Sequence, residues 1–418
     1  MAQVTRKSKE RLRMSKFKLD ALLDITLAIN ANLPVNELLD RYTAILRQDL
    51  RIGKILISKF SDRWEIILNA GFPEATANAV DVEKDLLMHS DILFRADHNI
   101  YEGVDIIIPV FNNNQPLAYI LIGDIDEEGE GVSPVIKHLH FIQTISSIII
   151  VAIENIRLFA ESLRQEAIKK ELELAARMQM MLIPDNRSLP VNEAITVTGY
   201  YHPHFEVGGD YYDCIKLSDD VTGFCIGDVS GKGLSAAMLM SNFQAAFRAL
   251  FTGDIDLETL IRKLNEIVVV NAAGEKFITV FVARYNSRTG ELEYVNAAHN
   301  PPVLLDTASG NILHLTASCV GVGMLDEIPF VNCQKIRISN RTKIVCYTDG
   351  LSELKDSEGK DIETGPIIEH INNRLTIEDN LVALIEDLGI PDNNPSMFDD
   401  VAIIAADLLP PEGARFSG

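Results

Sequence analysis

A helix running over about residues 133–182, where Pro184 stops it, divides this chain into three regions. Ile145, Ile149, Ala152, Ile156, Phe159 and Leu163 follow alternating spacings of four and three, as a coiled-coil seam does. The register then slips, and Ile168, Leu172, Ala175, Gln179 and Leu182 resume it in the manner of a stutter. A helix packing on its own sheet also shows one apolar face; the length of the seam favours a dimeric coiled coil over that alternative. With 418 residues in all, two or three domains are expected.

Ahead of the helix, residues 17–29 and 35–50 carry apolar side chains at helical spacing. Residues 54–60, 64–70, 105–111 and 117–124 read as strands. Asn112, Asn113, Asn114 and Gln115 are turn material and predict a hairpin. Residues 1–16 are basic and polar and are expected to be frayed. Two helices, an antiparallel sheet and a closing helix predict an α+β sensor-like domain over 17–132, joined to the rest by a helical linker at 133–184.

In the third region, 192–409, strands are expected at 196–201, 211–217, 222–228, 278–285, 291–296, 343–347 and 401–405. Helices are expected at 234–251, 257–270, 365–374 and 380–388. Strands in clusters and helices in pairs predict two packed sheets with helices outside. Asp210, Asp228, Asp349 and the pair Asp399–Asp400 each lie at a strand end beside glycine or another acid. One aspartate beside a glycine is usually a turn residue. Several brought to one sheet rim repel each other unless a cation lies between them, and hard divalent ions such as Mg²⁺ and Mn²⁺ take oxygen ligands of this kind.

Other chemistries find little support. The run from Gly227 to Gly233 is no phosphate loop: its spacing is one residue short, Gly233 replaces the Ser/Thr, and Asp228 places a negative charge inside. It reads as a tight turn opening the helix at Leu234. The histidines lack zinc spacing; His202, His204 and His299 are expected to be structural. Cys214, Cys225, Cys319, Cys333 and Cys346 form no C-x-x-C pair and read as buried, reduced thiols of a cytoplasmic protein. A formal charge of −22 argues against nucleic acid or an anionic membrane as a partner. The longest apolar run, near 145–153, is short for a bilayer span, so a soluble protein is expected.

The strings VGGDYYDCIKL, IGDVSGKGLSAAMLM, YVNAAHNPPVLL, CYTDGLSE and FDDVAIIA, in this order, resemble the bacterial PPM-type (type 2C-like) serine/threonine phosphatases. Within them they look most like the branch of the stage II sporulation and sigma-factor regulatory phosphatases. ELELAARMQMMLIP is similar to that branch's regulatory linker helix. The resemblance implies a β-sandwich flanked by helices, with two Mn²⁺ or Mg²⁺ ions at one rim. Asp210, Asp228, Asp349 and Asp399 match the metal aspartates. Val229 matches the residue that adds a backbone carbonyl, and Asp400 is their neighbour. The implied reaction is in-line attack of metal-bound hydroxide on a phosphoserine or phosphothreonine, and the implied substrate is a phosphorylated anti-sigma-factor antagonist. Ser230 stands where eukaryotic members carry a histidine. Ala298 stands where the usual block has glycine, and is strained if that position needs a positive φ. LLDITLAINANL and ILIGDI resemble, more weakly, a GAF-type sensor domain. No cysteine precedes Cys214, which argues against a thioether-linked chromophore.

These observations converge on a sensor, a dimeric helical linker and a metal-dependent phosphatase. The rivals are a catalytically silent dimeric scaffold and a metal-dependent phosphatase of small molecules or nucleotides.

Overall fold

The computed structural model describes residues 2–95, 101–125, 134–204, 207–356, 358–390 and 397–411. The end of the expected sensor region, 126–132, and the linker's first residue, Ser133, lie outside the described residues. The chain divides into two compact units, Met1–Glu166 and Ala167–Gly418.

The first unit opens with helix α1 (Ala2–Asn30), so the stretch expected to be frayed is helical from Ala2 onward. Lys, Arg, Glu and Met are strong helix formers, and neither glycine nor proline occurs before Pro34. Helix α2 (Val35–Ala44) follows Pro34 and ends in a single π-turn, Ile45–Asp49. Strands β1 (Ile52–Phe60) and β2 (Trp64–Ala70) come next, then two short helices, α3 (Glu74–Asn78) and α4 (Val82–Asp85). Strands β3 (Leu93–Phe94), β4 (Ile106–Asn112) and β5 (Gln115–Ile125) complete an antiparallel sheet in the order β2-β1-β5-β4-β3. The β4–β5 turn is the expected asparagine hairpin. Asn113 and Asn114 both take positive φ (47° and 66°), as a tight two-residue hairpin turn demands.

Strand alternation sorts this unit's core onto two faces. Ile55, Ile57, Ile108, Ile120 and Ile122 meet Ile25 of α1, Leu38 and Tyr42 of α2, and the long helix α5 (Pro134–Met180). Leu56, Ile107, Tyr119 and Leu121 point the other way, onto Phe72, Ala77, Val82 and Leu86. Helix α5 contributes Ile142, Ile145, Ile149, Ile150 and Ile153 to the first of these cores. The first positions of the expected coiled-coil seam, Ile145, Ile149 and Ala152, are therefore buried within their own unit. Later apolar residues, Leu158, Phe159, Leu163 and Ile168, are exposed. By length and composition α5 could also cross a bilayer, yet half of its most apolar window is buried inside the protein.

Among its described residues, the second unit holds ten strands in two antiparallel five-stranded sheets. Strands β6 (Ile195–His202), β7 (Tyr211–Lys216) and β8 (Val221–Val229) precede helices α6 (Leu234–Leu250) and α7 (Leu257–Ala272). Strands β9 (Ile278–Asn286), β10 (Glu291–Ala297), β11 (Val303–Asp306), β12 (Ile312–His314), β13 (Gln334–Arg337) and β14 (Thr342–Tyr347) follow. Helices α8 (Asp349–Ser352), α9 (Gly365–Ile371) and α10 (Ile377–Asp387) then lead to β15 (Val401–Leu408). One sheet runs β13-β10-β9-β8-β7, the other β12-β11-β14-β15-β6. Their inner faces interdigitate through Tyr212, Phe224, Ile226 and Phe281 on one side and Val197, Ile344, Cys346 and Ile404 on the other. Outside, Phe243, Phe247, Leu260 and Leu264 of α6 and α7 cover Cys225, Val280 and Val282. Ile367, Ile371, Leu381 and Leu384 of α9 and α10 cover Val303, Val345 and Ile403. This is the expected sandwich with outer helices. The strands not foreseen, β11 to β13, are three or four residues long, too short for alternation to register.

Candidate metal centre

Strand pairing explains how four distant aspartates reach one place. Tyr211 pairs with Gly227 across β7 and β8, so Asp210 and Asp228, one residue further along, share a rim of the first sheet. Tyr347 pairs with Ile403 across β14 and β15, and Thr348 extends that ladder. Its N–H donates to the Ala402 carbonyl at 3.0 Å, and its Oγ1 accepts the Ala402 N–H at 2.9 Å. Asp349 and Asp399 therefore fall at the matching end of the second sheet. The two rims enclose a cleft of about 240 Å³ lined by Asp210, Asp228, Val229, Lys232, Asp349 and Asp399 among others.

Like charge dominates the buried part of the cleft around Asp210 and Asp228. Asp210 is 3% exposed, and its Oδ2 has no hydrogen-bond partner. Burial holds its carboxyl well above the usual range, and the charges of Asp228, Asp400 and Asp349 push the same way. Asp228 is raised to about 7, by burial first and then by Asp349. Asp349 is raised by burial and by Asp399. An orphaned, buried carboxylate oxygen among other carboxylates is the donor set that a hard divalent cation completes. Among the described residues, no three acidic, histidine or cysteine side chains already close on a single point. Gly209 leaves the Val229 carbonyl room: a Cβ there would lie 3.1 Å from that oxygen.

Asp400 lines the same cleft and also braces the backbone. Its Oδ1 accepts the His204 N–H at 2.8 Å and its Oδ2 the Gly209 N–H at 3.0 Å, so both oxygens anchor the loop that leads to Asp210.

The family profile described as Stage II sporulation protein E (SpoIIE) matches residues 218–409. Over those residues, under half of its length, the chain is similar to that family. It is 28% identical over 195 residues to "Phosphoserine phosphatase RsbU" of Bacillus subtilis (strain 168), covering 47% of this chain and 57% of that protein. It is 25% identical over 189 residues to "Phosphoserine phosphatase RsbP" of the same organism, covering 44% and 46%. The chain thus spans about half the length of these curated relatives. Among solved structures, the SiaA-PP2C domain of Pseudomonas aeruginosa shares the fold with a TM-score of 0.51 at 16% identity, over 59% of this chain and 98% of that one.

The second unit also contains residues that sequence reasoning passed over. Lys232 is the one cationic side chain among the described residues lining the cleft. Its Nζ lies 2.7 Å from Asp399 Oδ2 and donates to the Phe398 carbonyl at 2.7 Å. The rejected phosphate-loop string was the available signal, since its Gly231 and Gly233, both at φ +80°, make the tight turn that brings Lys232 there. Ser230 accepts the Phe277 N–H on Oγ at 2.9 Å and the Lys276 ammonium on its carbonyl at 2.8 Å, so it fixes the turn. His299 is buried, which pushes its pKa down to about 4; Nδ1 lies 3.0 Å from Thr279 Oγ1, and Thr279 lines the cleft. Ala298 adopts φ +55°, the strained conformation expected of it. The five cysteines are free, and burial pushes Cys214 and Cys333 up to about 12.

Proposed function

We propose that this chain is a divalent-metal-dependent protein serine/threonine phosphatase of bacterial signalling. The observation that carries the proposal is the buried, unpartnered Oδ2 of Asp210 facing a cleft shared with Asp228, Asp349 and Asp399. These four carboxylates, with the Val229 carbonyl, would hold Mn²⁺ or Mg²⁺. Bound ions supply a Lewis acid for the phosphoryl oxygens and a water acidified toward neutral pH. Lys232, exchanging its contact with Asp399 for the substrate, gives a phosphoryl oxygen a donor at the mouth of the cleft. With its Oγ accepting the Phe277 N–H, Ser230 fixes the turn beside Asp228. Its cysteine thiols are held protonated and offer no nucleophile.

The substrate in this proposal is a phosphorylated regulatory protein of the anti-sigma-factor-antagonist kind, met in the cytoplasm. It is supported by relatives whose names are phosphoserine phosphatases. The first unit acts as a GAF-like sensor, and the exposed stripe of α5 through Leu158, Phe159, Leu163 and Ile168 pairs two copies. Leu172→Pro then alters basal turnover; an unchanged rate in the full chain would remove the linker from the account.

Hydrolysis of p-nitrophenyl phosphate and of a phosphoserine protein, measured with Mn²⁺, with EDTA and with Asp349→Asn, tests the proposal. Turnover that needs Mn²⁺ and disappears in the other two is expected. Turnover indifferent to EDTA would sink the metal mechanism, and folded protein that binds no Mn²⁺ would leave the scaffold alternative.

A further inference from the structure

The row of acids on the rim of the first sheet ends in a hydroxyl. Asp228 pairs with Thr279 across β8 and β9, just beyond Asp210 on β7. Directly paired residues of an antiparallel sheet point their side chains to one face, with Cβ atoms about 5 Å apart. Thr279 therefore stands beside Asp228, and it lines the same cleft. Val280 pairs with Ala297 on β10, so one more step of that ladder would set Ala298 opposite Thr279. Ala298 turns the chain at φ +55° instead, and His299 folds back until its Nδ1 lies 3.0 Å from Thr279 Oγ1. Buried Asn296 fixes the turn: its Oδ1 accepts the His299 N–H at 2.8 Å, and its amide donates to the Leu315 carbonyl at 2.8 Å. His299 itself is buried, and its Nε2 has no partner in hydrogen-bond geometry. Burial keeps the ring neutral, so one nitrogen carries the proton and the other accepts. The Tyr347 backbone acts on the ring in the sense that favours a proton, as a carbonyl does. With Nδ1 engaged by Thr279, that proton belongs on Nε2.

We propose that Thr279 is a catalytic residue that holds the attacking water beside Asp228, with His299 as its positioning residue. The Thr279 hydroxyl donates to His299 Nδ1, which leaves the lone pairs of its oxygen facing the cleft. Lone pairs accept from water, which has protons to give. An ionised phosphoryl oxygen has none and finds no partner there. The pair therefore acts on the nucleophile and not on substrate binding. The role rests on the reading above, that the cleft hydrolyses a phosphate ester with divalent ions.

The test uses the full chain with Thr279→Val, which keeps the branched shape and removes the oxygen, and Thr279→Ser, which restores the oxygen. In T279V, kcat for p-nitrophenyl phosphate at saturating Mn²⁺ should fall about 10–100-fold, as misplacing a reacting group does. KM, Mn²⁺ affinity by calorimetry and inhibition by inorganic phosphate should stay within about twofold, and T279S should recover most of the lost kcat. The readout independent of turnover is nitrogen NMR of ring-labelled histidine in EDTA at pH 7, with His299 assigned by its disappearance in His299→Asn. A neutral ring protonated on Nε2 is expected, with an Nδ1 resonance that moves in T279V and stays near its wild-type position in T279S. A ring protonated on Nδ1 overturns the inference. So does a T279V kcat within about twofold of wild type, or a loss of phosphate inhibition equal to the loss of kcat, which would make Thr279 a donor to the phosphoryl group. If T279V does not fold, Thr279→Ala replaces it with the same outcomes. A wild-type protein that binds no Mn²⁺, or that turns over equally in EDTA, defeats the metal-dependent reading itself, a result distinct from any of these.

Discussion

Two buried acids, Glu154 in the first unit and Asp210 in the second, are surrounded in opposite ways. In the first, Lys59 on β1 and Glu154 on α5 are each less than a tenth exposed, and Nζ lies 2.6 Å from Oε2. Arg157 adds a second cation at 2.7 Å, and these partners hold the Glu154 carboxyl below its usual range. In the second, Asp210 is as deeply buried but faces other carboxylates, and its carboxyl is pushed far the other way. Burial alone therefore does not separate structure from function. A compensated pair completes a core on its own, whereas like charges gathered at a rim are incomplete until a cation joins them. The contrast makes quantitative demands on each unit.

The largest effect belongs to the rim. Asp228→Asn removes one of the converging charges, so turnover of a phosphoserine protein in Mn²⁺ should fall by about three orders of magnitude. Without metal, the same change relieves repulsion, and the melting temperature in EDTA should stay level or rise. A variant that retained activity, or that melted well below wild type in EDTA, would show Asp228 to be a structural acid like Glu154. The mirror experiment is Glu154→Ala. It strands Lys59 and should cost about 3–5 kcal/mol of first-unit stability, measured by urea unfolding, with Mn²⁺ affinity unchanged. A loss below about 1 kcal/mol would mean that Lys59 reaches water and that the pair is no counterpart to the rim.

How much of this contrast was legible in sequence depends on what kind of signal each part leaves. The strand-end aspartates were visible because glycines and chain reversals mark them, and the sandwich was visible because its longer strands alternate. Lys59 and Glu154 left no trace, since a lysine and a glutamate 95 positions apart look like any surface residues until a strand and a helix are packed together. The seam of α5 was legible as an apolar stripe, but periodicity cannot say what covers a stripe. Ile145 and Ile149 went to their own sheet, while Phe159 and Leu163 stayed exposed. Lys232 stands in IGDVSGKGLSAAMLM and Gln179 in ELELAARMQMMLIP. Their contacts, with Asp399 and with Gly208, arise from a left-handed turn and from a loop that folds back on a helix, neither of which has a period.

Protonation separates Asp228 and Glu154 by sign. For Asp228 the folded carboxyl sits at about 7 against an ordinary 3.8, and Asp210 is raised as well. Between those values the folded, metal-free protein binds more protons than the unfolded chain, so second-unit stability should fall as pH rises from about 4 to 7. Glu154 is lowered, so its contribution is full above the ordinary glutamate value and lost as pH falls through its folded value. Thermal scans in EDTA at pH 5 and pH 7 should show the second-unit transition moving down with pH and the first-unit transition not. Saturating Mn²⁺ should flatten the trend. A second-unit transition that rises across this interval would place the rim carboxylates in compensated surroundings and erase the contrast.

The smallest effect concerns backbone rather than charge. Among the described residues of the first unit, positive φ falls mostly on Asn32, Asn113, Asn114 and Asp124, types that accept the left-handed region. The second unit puts Ala298 there at φ +55°, directly before His299. His299 is held by its neighbours: its N–H donates to Asn296 Oδ1 at 2.8 Å, and its carbonyl accepts the Asn296 amide at 3.1 Å. A Cβ in that conformation crowds the following carbonyl at a cost of about 1–2 kcal/mol, part of which glycine returns through its freer unfolded chain. Ala298→Gly should therefore stabilise the second unit by about 1 kcal/mol, readable as a rise in its melting temperature with the first-unit transition unmoved. Because no cleft aspartate is touched, Mn²⁺ affinity and turnover should stay within about twofold, as for a stabilising change away from the reacting groups. Stabilisation with unchanged turnover would mark the strain as incidental to the site. Stabilisation with a clear loss of turnover would instead tie the strained turn, through His299 and Thr279, to the cleft that the aspartates line.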